Sequence, residues 1–122
     1  MKWNINYSKD DNIIMVNAEG IINTEDEEKL RNEVFECIKK YDCKQLFLDL
    51  TNIKEIEFDA FEIYDIPRKY IVQGIPRNTK MAMLYPEVKI RDFKFYETVC
   101  RNAGYNVMLF PEFEPAIEWL KE

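Results

Sequence analysis

The chain has 122 residues, of which 47% are hydrophobic and 33% charged, the balance of one globular domain rather than of a disordered segment. It carries 17 basic and 23 acidic side chains, and its net charge of −6 disfavours nucleic acid or anionic lipid as the main partner, because phosphate binding needs concentrated positive charge. No apolar run approaches the roughly 18 residues of a membrane span, and the N-terminus has no apolar signal core. We therefore expect a cytoplasmic protein.

Missing residue types disfavour most catalytic chemistry. The sequence contains no histidine, which excludes Ser-His-Asp and Cys-His nucleophile arrangements and every His-ligated metal site. Its three glycines form no phosphate-binding loop. The three cysteines (Cys37, Cys43 and Cys100) include no C-x-x-C pair, so reduced structural thiols are expected rather than disulfides or zinc ligands. The residue types predict no enzyme, no metal and no cofactor.

The first third of the chain predicts an antiparallel hairpin followed by a helix. Trp3–Ser8 alternates apolar and polar residues, a turn cluster follows, and Ile13–Ala18 forms the second strand. Thr24 and Glu27 have the spacing of a capping box, with Thr24 as the N-cap. The helix that follows carries an apolar face at helical spacing, formed by Leu30, Val34, Cys37, Ile38 and Tyr41.

The remainder alternates strands with helices. Short apolar strands are predicted at 45–50, 80–85 and 106–110. Such an alternation gives parallel neighbours with right-handed crossovers, to which the hairpin adds an antiparallel pair. The order ββαβαβαβα therefore predicts a single α/β domain over residues 1–122, with a mixed, mostly parallel sheet.

Three helices are predicted between and after these strands. The second begins near Asp59 and ends at Gly74, and Pro67 inside it predicts either a kink or a separate turn. The last helix is expected to start at Glu114, with Pro115 at its first helical position. The third helix has one apolar face, formed by Phe93, Tyr96, Val99, Cys100 and Ala103.

The stretch from Asp49 to Ile53 carries a family resemblance. A buried strand ending in Asp-Leu-Thr, followed by a short loop and a helix, resembles the centre of a STAS domain, the domain of sulfate transporters and anti-sigma-factor antagonists. Further segments make nearly the whole chain similar to the SpoIIAA-like (STAS/SEC14-like) family of small bacterial proteins. They are Ile63–Pro67, Gly74–Ala82, Asp92–Val99, Asn102–Tyr105 and Ala116–Leu120. The resemblance implies a STAS-like fold and a non-enzymatic regulatory module that acts through protein contacts.

One departure from that family concerns its phosphorylated serine. In signalling STAS proteins a partner kinase phosphorylates a serine at the start of the second helix, and this position corresponds to Asp59. The nearest hydroxyl, on Thr51, belongs to the preceding loop. A phospho-switch is therefore not expected here. Asp59 either supplies a fixed negative charge that resembles phosphate or serves as the N-cap of the helix.

The second and third helices are more apolar than a single buried stripe requires. In helix two, Phe61 and Tyr64 add to an apolar set that spreads around most of the circumference. In helix three, Phe93 and Phe95 are two residues apart and cannot share a face. Either Phe61, Tyr64 and Phe95 line a groove for a partner or an apolar ligand, or they pack the two helices together.

Three hypotheses follow. The first is a module that binds a protein partner or assembles as a homo-oligomer, through Asp59, Phe61, Tyr64, Asp65 and Phe95. The second is a carrier or sensor of a small lipophilic or anionic ligand. For an anionic ligand, a basic rim would be formed by Arg68, Lys69, Arg77 and Lys80.

The third hypothesis is an enzyme that uses Asp59 and Glu97 as acid and base. Carboxylate pairs can divide these roles, although nothing in the spacing selects this pair over any other. Asp49, at a strand end where open α/β sheets bind ligands, either faces a ligand or bonds the amides of the next loop.

Overall fold

Five strands and four helices follow one another in the predicted order ββαβαβαβα, with one added turn of 3-10 helix at Glu87–Lys89. The computed structural model describes residues 1–122. The strands are β1 (Lys2–Ser8), β2 (Ile13–Ile22), β3 (Gln45–Ile56), β4 (Lys80–Leu84) and β5 (Asn106–Phe110). The helices are α1 (Thr24–Tyr41), α2 (Ala60–Gln73), α3 (Ile90–Asn102) and α4 (Phe113–Leu120).

The strands form one sheet in the order β1-β2-β3-β4-β5. β1 and β2 are antiparallel, and the other three pairs are parallel, which confirms the predicted mixed sheet with an N-terminal hairpin. β3 extends six residues beyond its predicted end at Leu50. The reason is that the second half of β2 also continues and pairs with it, as far as Ile22 opposite Ile56, after a register shift beside Asn17.

The two faces of the sheet are covered unequally. Helices α1, α2 and α3 bury the larger core on one face, where Leu46 and Leu50 of β3 point. Helix α4 covers a smaller cluster on the other face, which includes Phe47 of the same strand. Successive strand residues point to opposite faces, so β3 contributes to both cores. None of the four helices is both long and apolar enough to cross a bilayer.

The N-cap of α1 is Asn23, and the prediction of Thr24 was wrong. The Asn23 side chain accepts a hydrogen bond from the N–H of Asp26 at 2.8 Å, and its backbone is extended. The Thr24 hydroxyl instead donates to Glu62 of α2 at 2.6 Å, and Glu27 pairs with Arg31 rather than reaching back to the cap. Asn23 and Thr24 are both suitable capping residues. Because β2 ends at Ile22, Asn23 is the first residue outside the sheet and takes the cap position.

Helix α2 has the predicted ends and passes through its proline without a break. Asp59 is the N-cap and Gly74 the C-cap, with Gly74 at φ 92°, a left-handed conformation that glycine adopts without strain. Pro67 lies inside the helix among its buried residues, although its ring removes one backbone hydrogen bond. In α4, Pro115 is the third helical residue rather than the first, a position where the missing N–H has no intrahelical partner to lose.

Candidate functional site

Helix α2 presents apolar side chains to solvent. Phe61 is 82% exposed and Tyr64 67%, while Val72, two turns further along, is 75% exposed. Residues three, four and seven positions apart share one side of a helix, so these side chains form a continuous stripe together with Asp65 and Arg68. We call this stripe the outer face of α2. Aromatic side chains this exposed do not pack α2 against α3. The alternative that Phe61 and Tyr64 only pack the two helices together is therefore wrong.

An ion pair lies at the middle of this outer face. Arg68 donates from Nε to one carboxylate oxygen of Asp65 at 2.6 Å and from a terminal nitrogen to the other at 2.8 Å. These two hydrogen bonds lower the pKa of the Asp65 carboxyl and raise the pKa of the Arg68 guanidinium. The face thus combines aromatic side chains with a fixed, paired charge.

The remaining two predicted site residues differ in setting. Asp59 begins α2, and its Oδ1 accepts a hydrogen bond from the N–H of Glu62 at 2.8 Å, the geometry of a helix cap. Phe95 lies on α3, which packs against α2, and is 37% exposed, whereas Phe93 is buried as the spacing requires. None of the aromatic ring pairs in the structure joins Phe95 to Phe61 or Tyr64.

The other candidate acids are occupied by backbone contacts. Glu97 accepts a hydrogen bond from the N–H of Leu109 in β5 at 2.7 Å, so this carboxylate and that of Asp59 each hold a different backbone segment. Asp49 accepts from the N–H and the hydroxyl of Thr51, at 3.1 and 2.7 Å. Both residues lie inside β3, so the prediction of Asp49 at a strand end and of Thr51 in the following loop was wrong, because β3 continues to Ile56. No group of three or more acidic or thiol side chains is arranged to hold a metal ion.

The proposed basic rim is not assembled. Arg68 is paired with Asp65 on α2. Lys80 donates to the carbonyl oxygen of Trp119 at 2.7 Å and lies over the Trp119 ring, beside α4 on the opposite face of the sheet. Because the sheet separates these two cations, they cannot bind one anion together.

Beneath the inner side of α2 lies an apolar cavity of about 130 Å³. Its floor is β3 and β4, and its walls come from α1, α2 and α3. All but three of its lining residues are hydrophobic, the exceptions being Glu27, Arg31 and Asp92. Leu48, in the middle of the central strand, is only half-buried although its neighbours Leu46 and Leu50 on the same face are buried. The void therefore reaches the centre of the sheet.

The polar side chains beside the cavity pair with one another. Arg31 Nε lies 3.0 Å from Glu27 Oε2, and the two side chains are only 11% and 13% exposed. The hydroxyls of Tyr70 and Tyr96 are 2.6 Å apart, and burial raises the pKa of both well above the usual value for tyrosine. The cavity therefore offers an apolar surface with few free hydrogen-bonding groups.

Comparison with solved structures identifies the architecture. An anti-sigma factor antagonist from Mycobacterium paratuberculosis superimposes with a TM-score of 0.68 at 12% identity, over 99% of this chain and 96% of that one. An uncharacterised protein with a SpoIIAA-like fold from Shewanella loihica superimposes with a TM-score of 0.62 at 16% identity, over 98% of this chain and 92% of that one. The protein has a SpoIIAA-like fold. No protein-family model matches the sequence, and no curated protein matches it significantly.

Within this SpoIIAA-like fold, the sequence identified the outer face of α2 and missed the cavity. Phe61 and Tyr64 stand out because they exceed the apolar content that one buried stripe needs. The cavity lining reads in sequence as ordinary core, since Leu46, Leu48 and Leu50 simply alternate along a strand. Whether such residues fill the space between sheet and helices depends on side-chain volumes from six elements at once, and no local pattern predicts it.

Proposed function

We propose that this SpoIIAA-like protein is a non-enzymatic regulatory module whose outer face of α2 binds a protein partner. The observation that carries the proposal is the exposure of two large aromatic side chains, Phe61 and Tyr64, on the side of α2 that also exposes Val72. Exposed aromatics beside a paired charge are the composition of an interface centre, where tyrosine and arginine are enriched. The likeness to an anti-sigma factor antagonist, a protein named for its action on another protein, supports the same class of function.

The proposed module works without phosphorylation at the start of α2. The residue there is Asp59, which has no hydroxyl and caps the helix through its side chain. A carboxylate at this position places an acidic group beside the outer face without any modification. We therefore expect binding to be constitutive, and controlled by the amount of partner or by another ligand.

The double variant Phe61→Ala, Tyr64→Ala tests the proposal. Truncating an interface aromatic costs about 2 kcal/mol or more when it is a binding hot spot. Quantitative mass spectrometry of proteins retained from extracts of the source cell should show a partner captured by the wild type and lost with the double variant. Thermal unfolding should be nearly unchanged, because both side chains are exposed.

Val88→Ser is the matched control. Val88 is 80% exposed and lies in the 3-10 turn, away from α2, so its loss removes an apolar surface side chain without altering the outer face. The proposal expects Val88→Ser to retain the same partner as the wild type. Equal retention by the double variant would contradict it. A homodimer that the double variant dissociates would assign the outer face to a second copy of this chain instead.

A carrier or sensor of a small lipophilic ligand is the second candidate, and the cavity beneath α2 favours it. Native mass spectrometry separates the two candidates on freshly purified protein. A small extra mass that disappears on denaturation supports the carrier, whereas a bare dimer supports an association surface. The basic rim predicted for an anionic ligand does not assemble in full, since Arg68 and Lys80 lie on opposite faces of the sheet.

A further inference from the structure

The cavity beneath α2 has the size and lining of a ligand site. At about 130 Å³ it is close to the apolar cavities of about 150 Å³ that bind benzene or xenon. Close packing normally leaves few voids larger than a water molecule, so this volume is unusual in a core. Water gains little from entering, because it needs two to four polar partners and the lining offers few.

Apart from Glu27 and Arg31 on α1 and Leu48 in the floor, the half-buried lining residues lie together at one end of the cavity, which we take as its mouth. Ile22 ends β2, Ile56 ends β3, and Phe58 follows two residues later, and all three are half-buried. Asp92, also half-buried, lies in the first turn of α3. The deeper residues, such as Ile75 and Met81, are buried. The opening therefore lies at the carboxyl ends of the parallel strands, where open α/β sheets bind ligands.

Helices α1 and α2, which cover the cavity, are joined to each other by side-chain hydrogen bonds rather than by close packing. At one end the Thr24 hydroxyl of α1 donates to Glu62 of α2 at 2.6 Å. At the other end Gln73 of α2 accepts from Arg31 at 2.8 Å and donates to Asn32 at 2.7 Å. Long polar side chains can give way by rotamer changes, so α1 and α2 can separate slightly without breaking the core beneath them.

The charges around the cavity favour a neutral ligand over an anionic one. Arg31, the cation among the lining residues, is already neutralised by Glu27. Asp92 forms no salt bridge and places a negative charge at the mouth. A carboxylate or phosphate would meet this charge and would lose its own hydration without gaining a partner. A neutral apolar molecule has no such hydration to lose, and it gains contact with the lining.

We propose that the cavity binds a small, uncharged, apolar molecule, about the size of one aromatic ring, that enters beside Phe58. This inference deepens the second candidate function and rests on it. It is independent of the protein-binding candidate, because the ligand contacts the inner side of α2 while a partner contacts the outer face. Ile63 and Ile66 line the cavity, whereas Phe61 and Tyr64 point away from it.

Methyl NMR of the full chain tests the proposal with two matched probes, benzene and benzoate. Benzene should shift the methyl resonances of Leu48, Ile63 and Met83 in a saturable manner. The methyl groups of Ile13 and Ala82, in the cluster under α4, should not move. Benzoate carries the same ring with a negative charge and should give no saturable shift at the same concentration. An absent response to benzene, or an equal response to both probes, would overturn the proposal.

Two variants sharpen the test. Leu48→Phe places a ring in the void from its half-buried floor and should abolish the response to benzene in a protein that remains folded. If Leu48→Phe does not fold, the comparison of benzene with benzoate on the wild type still decides the matter. The variant Phe61→Ala, Tyr64→Ala should respond to benzene as the wild type does, so loss of the partner and loss of the ligand are separate results.

Discussion

At the scale of single residues, the buried hydroxyls of Tyr70 and Tyr96 show how the polar edge of the core is satisfied. They form a hydrogen bond of 2.6 Å with each other. Burial raises the pKa of both hydroxyls well above the usual value for tyrosine, so both stay protonated at neutral pH. Each hydroxyl is therefore the hydrogen-bond partner of the other.

This pairing predicts similar costs for two similar substitutions. Tyr96→Phe leaves the Tyr70 hydroxyl buried without a partner and should destabilise the protein by about 1–3 kcal/mol. Tyr70→Phe does the same to the Tyr96 hydroxyl and should cost a similar amount. The double variant should cost less than the two single costs added together, because it leaves no orphaned hydroxyl. Urea unfolding measures all three, and a cost of the double variant equal to the sum of the single costs would contradict the pairing.

At the scale of elements, the start of α1 gives a clear test of which residue caps the helix. Asn23→Ala removes the side-chain oxygen that accepts from the Asp26 N–H and should cost about 1 kcal/mol of stability. Thr24→Ala loses only an exposed contact to Glu62 and should stay within about 0.5 kcal/mol of the wild type. Urea unfolding compares the two variants. Equal costs would mean that Thr24 shares the capping role.

The same helix shows what the sequence could and could not predict. The existence of α1 followed from its apolar spacing and acidic first turn, and the structure confirms both. The cap could not be assigned, because Asn23 and Thr24 are both good capping residues and each has an acid three positions later. What decides is the length of β2, which pairs with β3 as far as Ile22. That is a contact between distant segments, which a local pattern does not contain.

Helix α2 shows a second limit. Its excess of apolar residues was evident in the sequence, and so were its ends at Asp59 and Gly74. The spacing alone could not say which side would turn inward, since Phe61, Ile63, Tyr64 and Ile66 surround most of the helix. Packing on α3 and the sheet resolves it, with Ile63 and Ile66 buried and Phe61 exposed. The sequence could therefore single out these residues as an apolar excess, but not the surface on which Phe61 and Tyr64 lie.

At the scale of the whole molecule, the fold is two unequal cores separated by one sheet. The larger core joins α1, α2 and α3 to the sheet, and 22 buried residues belong to it, whereas the cluster under α4 has 6. Apolar burial is the main source of stability, so α4 should be held much more weakly than the other helices. Of its eight residues, only Ala116 and Leu120 are buried in the small cluster. Lys80 adds a hydrogen bond to the carbonyl oxygen of Trp119.

Native-state hydrogen exchange should therefore show α4 opening on its own. Its amides should exchange with a smaller opening free energy than those of β3, which pairs on both sides and reports global unfolding. Leu120→Ala removes a buried side chain from the small cluster and should speed exchange across α4. The variant should lower the opening free energies of α4 and β3 amides by the same amount, because α4 is also open in the states that expose β3, so the difference between the two should persist. If α4 and β3 amides exchange with equal opening free energies in the wild type, the two cores unfold as one cooperative unit, and the unequal division argued from burial does not extend to the dynamics.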